Sequence, residues 1–410
     1  MKMVNAIKCL FGGIFLIMLT ANNGWAQEQE DKEKKKAMEI YGFIMMDAGY
    51  NFNQIHPDWF DVVRPTKLPS YKNQYGTDGN FYFSVRQTRL GFKNYFQTGL
   101  GELKTQFEFE MFGTGVDAGQ TTIRLRHAYA ELGKFGVGQY WSPFMDIDVF
   151  PNTVEYWGPT GMVFFRNIQF RYMPIQGDTR LTIALERPGA SADQGDYADR
   201  IALAGVKPRF PVPDLSAEYR KAGKFGYVEL AGILRYMKWE DLDPTNPVDY
   251  SGDALGWGLN LSTNLKLGQK SVFRGAVVYG EGIQNYMNDA PVDVAIKDFP
   301  GTSKPAEGVP LPMLGLTAFI DHNWNDKIST AIGYSMIDID NSNGQNGDAF
   351  KKGQYAIANV MFYPVKNAMM GIEAQYGNRE NYTDGWKTDI FKIQFSFKYN
   401  FSHTFYNKKD

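Results

Sequence analysis

Three pairs of closely spaced arginines stand out in the sequence: Arg86 and Arg89, Arg124 and Arg126, and Arg166 and Arg171. A guanidinium group presents a planar fork of N–H donors that binds a carboxylate in bidentate geometry. If the three segments are nearby strands whose arginines point to one side, all of these charges converge on one space. We therefore interpret them as a candidate site for small anions with one or two carboxylates. A general pore for small solutes is the weaker hypothesis.

A second candidate element is the aromatic, proline-containing segment from Trp141 to Gly161, which carries Asp146, Asp148 and Glu155. The segment is too apolar to remain in solvent, so we expect it to fold into a channel with its three acids facing the arginines. Opposed charges across a narrow passage create a transverse field that orients dipolar solutes and favours anions on the arginine side.

The arginines also have a purely structural interpretation. Glu102, Glu108 and Glu110 lie on one face of an intervening segment. In this alternative the arginines pair with these glutamates and only hold the wall together.

The elements that position these residues are strands. From Glu39 onward the sequence consists of segments of about 10 to 14 residues that alternate apolar and polar residues between turns, which is typical of a transmembrane β-barrel. The alternation is clearest in 102–111, 255–267 and 391–401. We expect an all-β, antiparallel transmembrane β-barrel, with a soluble β protein as the alternative.

In two of the arginine-bearing strands, the apolar residues switch from alternate positions of one set to those of the other part-way along the strand. Phe81 and Phe83 occupy odd-numbered positions, whereas Leu90 and Phe92 occupy even-numbered ones. A β-bulge between Arg86 and Arg89 restores the alternation and turns both arginines inward. A similar change near Arg166 and Asn167 points Arg166 and Arg171 to the lumen.

In the strand that carries Arg124 and Arg126, the alternation of inward and outward residues is expected to continue without a bulge. Its regular alternation predicts an inward face of Thr122, Arg124, Arg126, Ala128 and Ala130, opposite Ile123, Leu125 and Tyr129.

The alternation of long extracellular loops with tight periplasmic turns predicts an even number of strands. A direct count gives seventeen candidate strands, which is odd. If 188–213 is one long loop that includes the apparent strand from Ile201 to Val206, sixteen strands remain and all long loops lie on one side. Tight turns are expected near residues 98–99, 133–134, 175–177, 222–223, 268–269, 325–326 and 366–367. Long loops are expected at 53–79, 113–120, 142–161, 188–213, 240–253, 284–311, 340–352 and 380–388. A barrel of this size leaves an aqueous channel.

The N-terminus reads as an export signal. Residues 1–26 combine Lys2 and Lys8 with a short apolar run and the cleavage site Gly24-Trp25-Ala26. We expect a charged periplasmic leader at 27–38, a barrel at 39–410 and insertion into the lipid of a Gram-negative outer membrane. The only cysteine, Cys9, lies in the signal.

Two runs of sequence indicate a family. The run from Ser84 to Phe92 (SVRQTRLGF) resembles the second-strand motif of Gram-negative porins, and the run from Arg124 to Gly161, with Val163 to Tyr172, resembles the DcaP-like porins. The resemblance implies a sixteen-stranded homotrimeric channel that takes up small dicarboxylates. It also implies that the six arginines and the third extracellular loop form the selective constriction.

Other functions find little support in the sequence. It contains no Walker loop, no G-x-S-x-G elbow and no zinc-type Cys/His spacing. The stretch from Asp338 to Asp348 departs from the calcium-loop pattern and reads as an exposed loop, with calcium binding left open. We expect no catalysis, no cofactor, no metal and no nucleic-acid partner. A surface receptor or structural barrel is the remaining alternative.

Overall fold

The structure is a computed structural model that describes residues 35–198 and 203–407. The predicted signal peptide and residues 27–34 of the predicted leader lie outside the described residues. The strands are β1 (Lys36–Asn51), β2 (Asn80–Ser84), β3 (Arg89–Thr98), β4 (Gly101–Phe112), β5 (Thr121–Leu132), β6 (Phe135–Trp141), β7 (Arg166–Ile175), β8 (Thr179–Glu186), β9 (Ala192–Asp193), β10 (Val206–Arg209), β11 (Asp214–Gly223), β12 (Gly226–Asp241), β13 (Gly252–Leu267), β14 (Ser271–Glu281), β15 (Val294–Asp298), β16 (Ala306–Pro310), β17 (Pro312–Asn325), β18 (Ile328–Ile339), β19 (Phe350–Phe362), β20 (Ala368–Asn381) and β21 (Lys387–Tyr406).

Short 3₁₀ turns lie in the connections, at Pro57–Trp59, Pro65–Lys67, Gly115–Asp117, Ile147–Val149, Gly195–Tyr197 and Gln284–Tyr286. No helix in the described part of the chain is both long enough and apolar enough to cross a membrane.

A closed antiparallel barrel of sixteen strands confirms the predicted fold. The main sheet contains 18 strand elements. β2 and β3 are two parts of one barrel strand, since both pair with β1, and β10 and β11 are likewise two parts of one strand that pairs with β12. The barrel closes where β1 pairs with β21 over almost its whole length, for example Gly49 with Gln394. Closure pairs the backbone groups that the edges of an open sheet would leave exposed to lipid.

The two faces of the barrel differ as a membrane requires. On β21, Phe395 and Phe397 are outward-facing and exposed, whereas Lys392, Gln394 and Ser396 between and beside them are fully buried. The outward face is thus apolar and the inward face polar.

The connections follow the predicted parity. The tight turns occur near their predicted places, with one shift: β11 continues to Gly223, so its turn falls at 224–225 rather than at 222–223. β1 begins at Lys36, within the segment that the sequence analysis assigned to the leader. Of the apparent strand from Ile201 to Val206, residues 201–202 lie outside the described residues.

The third extracellular loop folds into the lumen, as predicted. Loop 3, which spans 142–165 between β6 and β7, buries Phe144, Val149 and Met162 almost completely. They join a hydrophobic cluster with Ile283 and Tyr286 of loop 6, which spans 282–311. Loop 1, which spans 52–79, also folds inward. The apolar side chains of these loops are therefore buried inside a polar barrel.

Loop 3 approaches the barrel wall closely at Gly161. The N–H group of Gly161 donates a hydrogen bond to Ser335 Oγ at 2.9 Å. A Cβ atom at this position would collide with the carbonyl oxygen of Met336 and would meet that of Leu316 at 2.7 Å. Only glycine fits between the loop and the wall.

We expect Gly161→Val to displace the end of loop 3 and to destabilise the protein by about 1–3 kcal/mol, because the added side chain overpacks a backbone contact. Single-channel conductance in a planar bilayer should rise, since the loop no longer narrows the lumen. Gly99→Val is the matched control, because open space surrounds Gly99. Unchanged conductance of a folded Gly161→Val barrel would contradict the assignment.

Candidate functional site

The strand formed by β2 and β3 changes phase at residues 85–88, as predicted. Phe81 and Phe83 of β2 are exposed on the outer surface, and so is Leu90 of β3. The residues between β2 and β3 take up the extra position. Both Arg86 and Arg89 therefore point into the barrel.

β5 contains a bulge that the sequence analysis missed. The register between β4 and β5 shifts between Glu108 and Phe109, so Arg126 is the extra residue of the bulge and pairs with no residue of β4. Arg126 and His127 are therefore both buried, and Tyr129 is buried beside them. The prediction that Tyr129 points outward and Ala128 inward was wrong, because the bulge reverses the alternation below Arg126.

Two glutamates on β4 bind the arginines that line the wall. Arg126 lies 2.6 Å from Glu108 and 2.5 Å from Glu110. Arg89 lies 3.3 Å from Glu110 and 3.8 Å from Glu108. The structural interpretation therefore holds for these two arginines. Glu102 has no part in it and accepts a hydrogen bond from Gln97 instead.

Arg86 and Arg171 also have structural roles. Arg86 is buried and forms an ion pair of 2.8 Å with Asp61 of loop 1. Arg171 donates to Gln169 at 2.8 Å and to the carbonyl oxygen of Trp141. Neither guanidinium group reaches open space in the lumen.

The first two acids of loop 3 do not face the six arginines. Asp146 and Asp148 each lie 2.5 Å from Arg220 on β11. Asp146 also accepts hydrogen bonds from Tyr227 and Ser262. The prediction was wrong because loop 3, after leaving β6, runs past β7 and β8, so these acids reach β11 and its neighbours β12 and β13.

Glu155, the third acid of loop 3, also lies away from the six predicted arginines. Its carboxylate accepts hydrogen bonds from the N–H groups of Val63 and Gly158, and from the hydroxyl of Tyr355. Burial raises the pKa of Glu155 to about 7, and the charge of Lys392 opposes the shift. Glu155 therefore anchors loop 3 to loop 1 and to the wall, not to the arginine cluster.

Three arginines line a cavity of about 410 Å³ beside loop 3, namely Arg64, Arg124 and Arg166. Tyr156 of loop 3 and the side-chain amides of Gln284 and Asn288 from loop 6 complete much of its lining. The cavity therefore combines cationic, aromatic and amide groups.

Arg64 of loop 1 was missed by the sequence analysis. Its guanidinium group lies between the rings of Trp59 and Trp157, 4.1 and 3.9 Å from their centroids, and 2.9 Å from Asp289. The aromatic residues around it were the available signal, since they match the composition that identified loop 3 as inward-folding. The residues that contact Arg64 come from three separate loops, so no local sequence pattern predicts these contacts.

Arg124 and Arg166 differ from the wall arginines because their guanidinium groups donate no hydrogen bond within the described part of the chain. The carboxylate nearest to each is Glu110, at 3.6 and 3.8 Å. In the described part of the chain, neither guanidinium group donates a hydrogen bond to this or any other acceptor, and Arg166 Nη1 is buried without a partner. Arg124 is about 30% exposed. These donors can bind an anion.

A sequence model of the DcaP outer membrane protein family matches residues 17–401. The chain belongs to this family. No curated protein shows significant similarity to it.

Solved structures show the same fold. The outer membrane channel DcaP of Acinetobacter baumannii is 19% identical, with 92% of this chain and 100% of that one covered and a TM-score of 0.74. The anion-selective porin from Comamonas acidovorans is 9% identical, with 90% and 100% covered and a TM-score of 0.58. The trimer form of OmpT of Vibrio cholerae is 12% identical, with 90% and 100% covered and a TM-score of 0.53.

Family and fold together make this chain a β-barrel outer-membrane protein of the DcaP family. The Acinetobacter structure of the same fold is an outer membrane channel. In the residues that the structure describes, no group of three or more His, Cys, Asp or Glu side chains is arranged to hold a metal ion.

Arg220 is expected to be essential for holding loop 3. Arg220→Met leaves Asp146 and Glu229 as buried carboxylates without their closest cation, which costs about 3–5 kcal/mol. Urea unfolding from liposomes measures the loss. Arg209→Met is the matched control: its ion pair with Glu240 is exposed to solvent, so its removal should change the stability little. Equal losses in the two variants would contradict the role of Arg220.

Glu155 is expected to make stability depend on pH. Because its pKa is about 7 in the folded chain and lower when exposed, the folded state binds the extra proton. Its contribution to stability is complete at low pH and declines as the pH rises from about 4.5 to 7. Glu155→Gln should remove this part of the decline in urea unfolding midpoints, whereas Asp243→Asn on an exposed loop should not. Parallel pH profiles for wild type and Glu155→Gln would count against it.

Proposed function

We propose that this porin mediates passive uptake of small anionic solutes, with dicarboxylates as the preferred class. The selective constriction in this proposal is the cavity lined by Arg64, Arg124 and Arg166. The observation that carries the proposal is that Arg124 and Arg166 face the cavity with donors that no protein acceptor uses.

Electrostatics supports this choice. A guanidinium group in a narrow lumen is screened less than one in bulk water, so a passing anion feels it strongly. Two guanidinium groups at one cavity suit a solute with two carboxylates, since each can bind one of them in bidentate geometry.

The comparisons support the proposal in a general way. The porin from Comamonas acidovorans is anion-selective and has the same fold. The outer membrane protein OmpT of Vibrio cholerae, which has the same fold, has a trimer form, and we propose a homotrimer here. We also propose that residues 1–26 are the cleaved export signal and that the predicted periplasmic leader ends where β1 begins, at Lys36.

The proposed site differs from the one that the sequence suggested. Arg86, Arg89, Arg126 and Arg171 build the wall, and Asp146, Asp148 and Glu155 anchor loop 3. Of the nine predicted residues, Arg124 and Arg166 remain as solute ligands in the proposal, and Arg64 joins them.

Arg124→Gln and Arg166→Gln should each weaken dicarboxylate binding by roughly ten- to a hundredfold, because each removes a charge-assisted hydrogen bond of about 1.5–3 kcal/mol. Reversal potentials in a salt gradient should shift toward cation preference, and transient block by an added dicarboxylate should shorten. Arg209→Gln, on the exposed rim, is the matched control and should leave both unchanged.

The outcomes separate the alternatives. Unaltered selectivity in folded Arg124→Gln and Arg166→Gln barrels would indicate a general diffusion porin. A wild-type barrel that conducts no ions would indicate a receptor or structural barrel.

A further inference from the structure

Two lysines on the lumen face of the barrel take no part in holding the loops. On β21, Lys398 lies between Phe397 and Tyr399, which are exposed on the outer surface, so Lys398 points inward. On β3, Lys93 shares the inward face with Arg89. Both lysines are half-buried. In the described part of the chain, neither ammonium group has a carboxylate within 4.0 Å.

β1 lies between β3 and β21 and places two aromatic rings beside these lysines. Lys398 Nζ lies 5.2 Å from the centroid of the Phe43 ring, and Lys93 Nζ lies 4.8 Å from that of the Tyr41 ring. The guanidinium group of Arg89 also faces the Phe43 ring, at 5.2 Å. A ring face attracts and positions a cation but does not neutralise its charge.

The carboxylates of the neighbouring wall bind other donors. Asp47 on β1 accepts hydrogen bonds from three amide and hydroxyl side chains, those of Gln87, Gln394 and Ser396. Glu108 on β4 binds Arg126. Glu39 is the register partner of Lys93 on β1, yet the two side chains form no ion pair. In the described part of the wall, the charge of both lysines therefore remains without a partner.

The lysines lie next to the segment of loop 3 that contacts β1. Phe43 packs against a cluster that contains Val154 of loop 3 and three methionines of the wall, Met45, Met361 and Met369. Two of these methionines pair with Lys398 in the registers of β1 and β20. β3 continues from Arg89 through Lys93 to the tight turn at 99–100. The two lysines therefore extend from loop 3 toward the tight turns.

The lysines and the arginines of the cavity differ in how they bind an anion. Arg124 and Arg166 offer planar forks that bind a carboxylate in bidentate geometry, whereas an ammonium group is a compact, strongly hydrated charge. A carboxylate therefore binds the lysines more weakly than the arginines. Conduction requires that a solute leave its site as well as enter it, and a second, weaker site for the same charge provides this step.

We propose that Lys398 and Lys93 form a second binding site for anionic solutes, which accepts a carboxylate as it leaves Arg124 and Arg166. The ligand is the small carboxylate of the proposed function, on which this inference rests. The rings of Phe43 and Tyr41 position the two ammonium groups. Solutes then move from loop 3 toward the tight turns in two steps.

Chemical labelling of lysines tests the site in the refolded wild-type protein. Reductive methylation with formaldehyde, followed by peptide mass spectrometry, measures the labelling rate of each lysine in succinate and in sodium chloride of equal ionic strength. Succinate is expected to slow the labelling of Lys93 and Lys398 by roughly two- to fivefold, as for a partly exposed ion pair. Lys224, which is exposed at a tight turn, is the internal control and should be labelled at the same rate in both salts.

The same measurement in an Arg124→Gln, Arg166→Gln double variant separates this site from the arginine site. Protection of Lys93 and Lys398 that persists in the double variant supports a second site, whatever the double variant does to ion selectivity. Protection that is lost in the double variant, equal protection of Lys224, or no protection in the wild type would each overturn the proposal.

A substitution at Lys398 gives a second readout. Lys398→Gln breaks no ion pair, so the barrel is expected to fold. In planar bilayers, the rate at which succinate blocks the channel from the side of the tight turns should fall by roughly two- to fivefold. Lys224→Gln, which removes a charge on the same side of the barrel, should leave this rate unchanged. An unchanged rate in folded Lys398→Gln channels would contradict the second site.

Discussion

The constraint on which this molecule depends is that hydrocarbon offers no hydrogen bond to a polypeptide backbone. The pairing of β1 with β21 meets it by closing the sheet. Closure divides every strand into a lipid face and a lumen face, and so sends the polar half of the alternating sequence inward. The wide polar lumen, in turn, can accept loops that carry charges. In the described part of the barrel, the wall departs from this rule most clearly at the upper part of β5, where loop 3 leaves it.

The inward-folded loops are held mainly by buried ion pairs with the wall. Arg220 binds the acids of loop 3, Arg64 of loop 1 binds Asp289 of loop 6, and Arg235 on β12 binds Asp293 of loop 6 at 2.7 Å. A charge inside the barrel is costly without a partner, and these loop acids are matched to wall or loop cations. The same pairings that fix the loops therefore use up most of the charge that the sequence places in the lumen.

The sequence predicted those features that local patterns encode. Alternation and loop parity were enough for sixteen strands, for the inward turn of loop 3 and for the phase change that brings Arg86 and Arg89 inside. The bulge at Arg126 was not predicted, because Tyr129 fits an outward aromatic position as well as an inward one. The partners of Asp146 and Glu155 were not predicted for another reason, because the path of a loop across a lumen depends on packing between segments distant in sequence. The position of Arg64 was not predicted for the same reason.

The shared carboxylate of Glu110 explains why some arginines of the lumen donate no hydrogen bond to it. One of its oxygens accepts from the hydroxyl of Tyr156, and the other from Arg126 and Arg89. A carboxylate has about four acceptor positions, and these contacts leave little room for more. Arg124 and Arg166 approach the oxygen that accepts from Tyr156, but at 3.6 and 3.8 Å they lie beyond hydrogen-bond distance. Under the proposed function, selectivity depends less on net charge than on which donors the protein leaves unsatisfied, and an anionic solute supplies the acceptor that they lack.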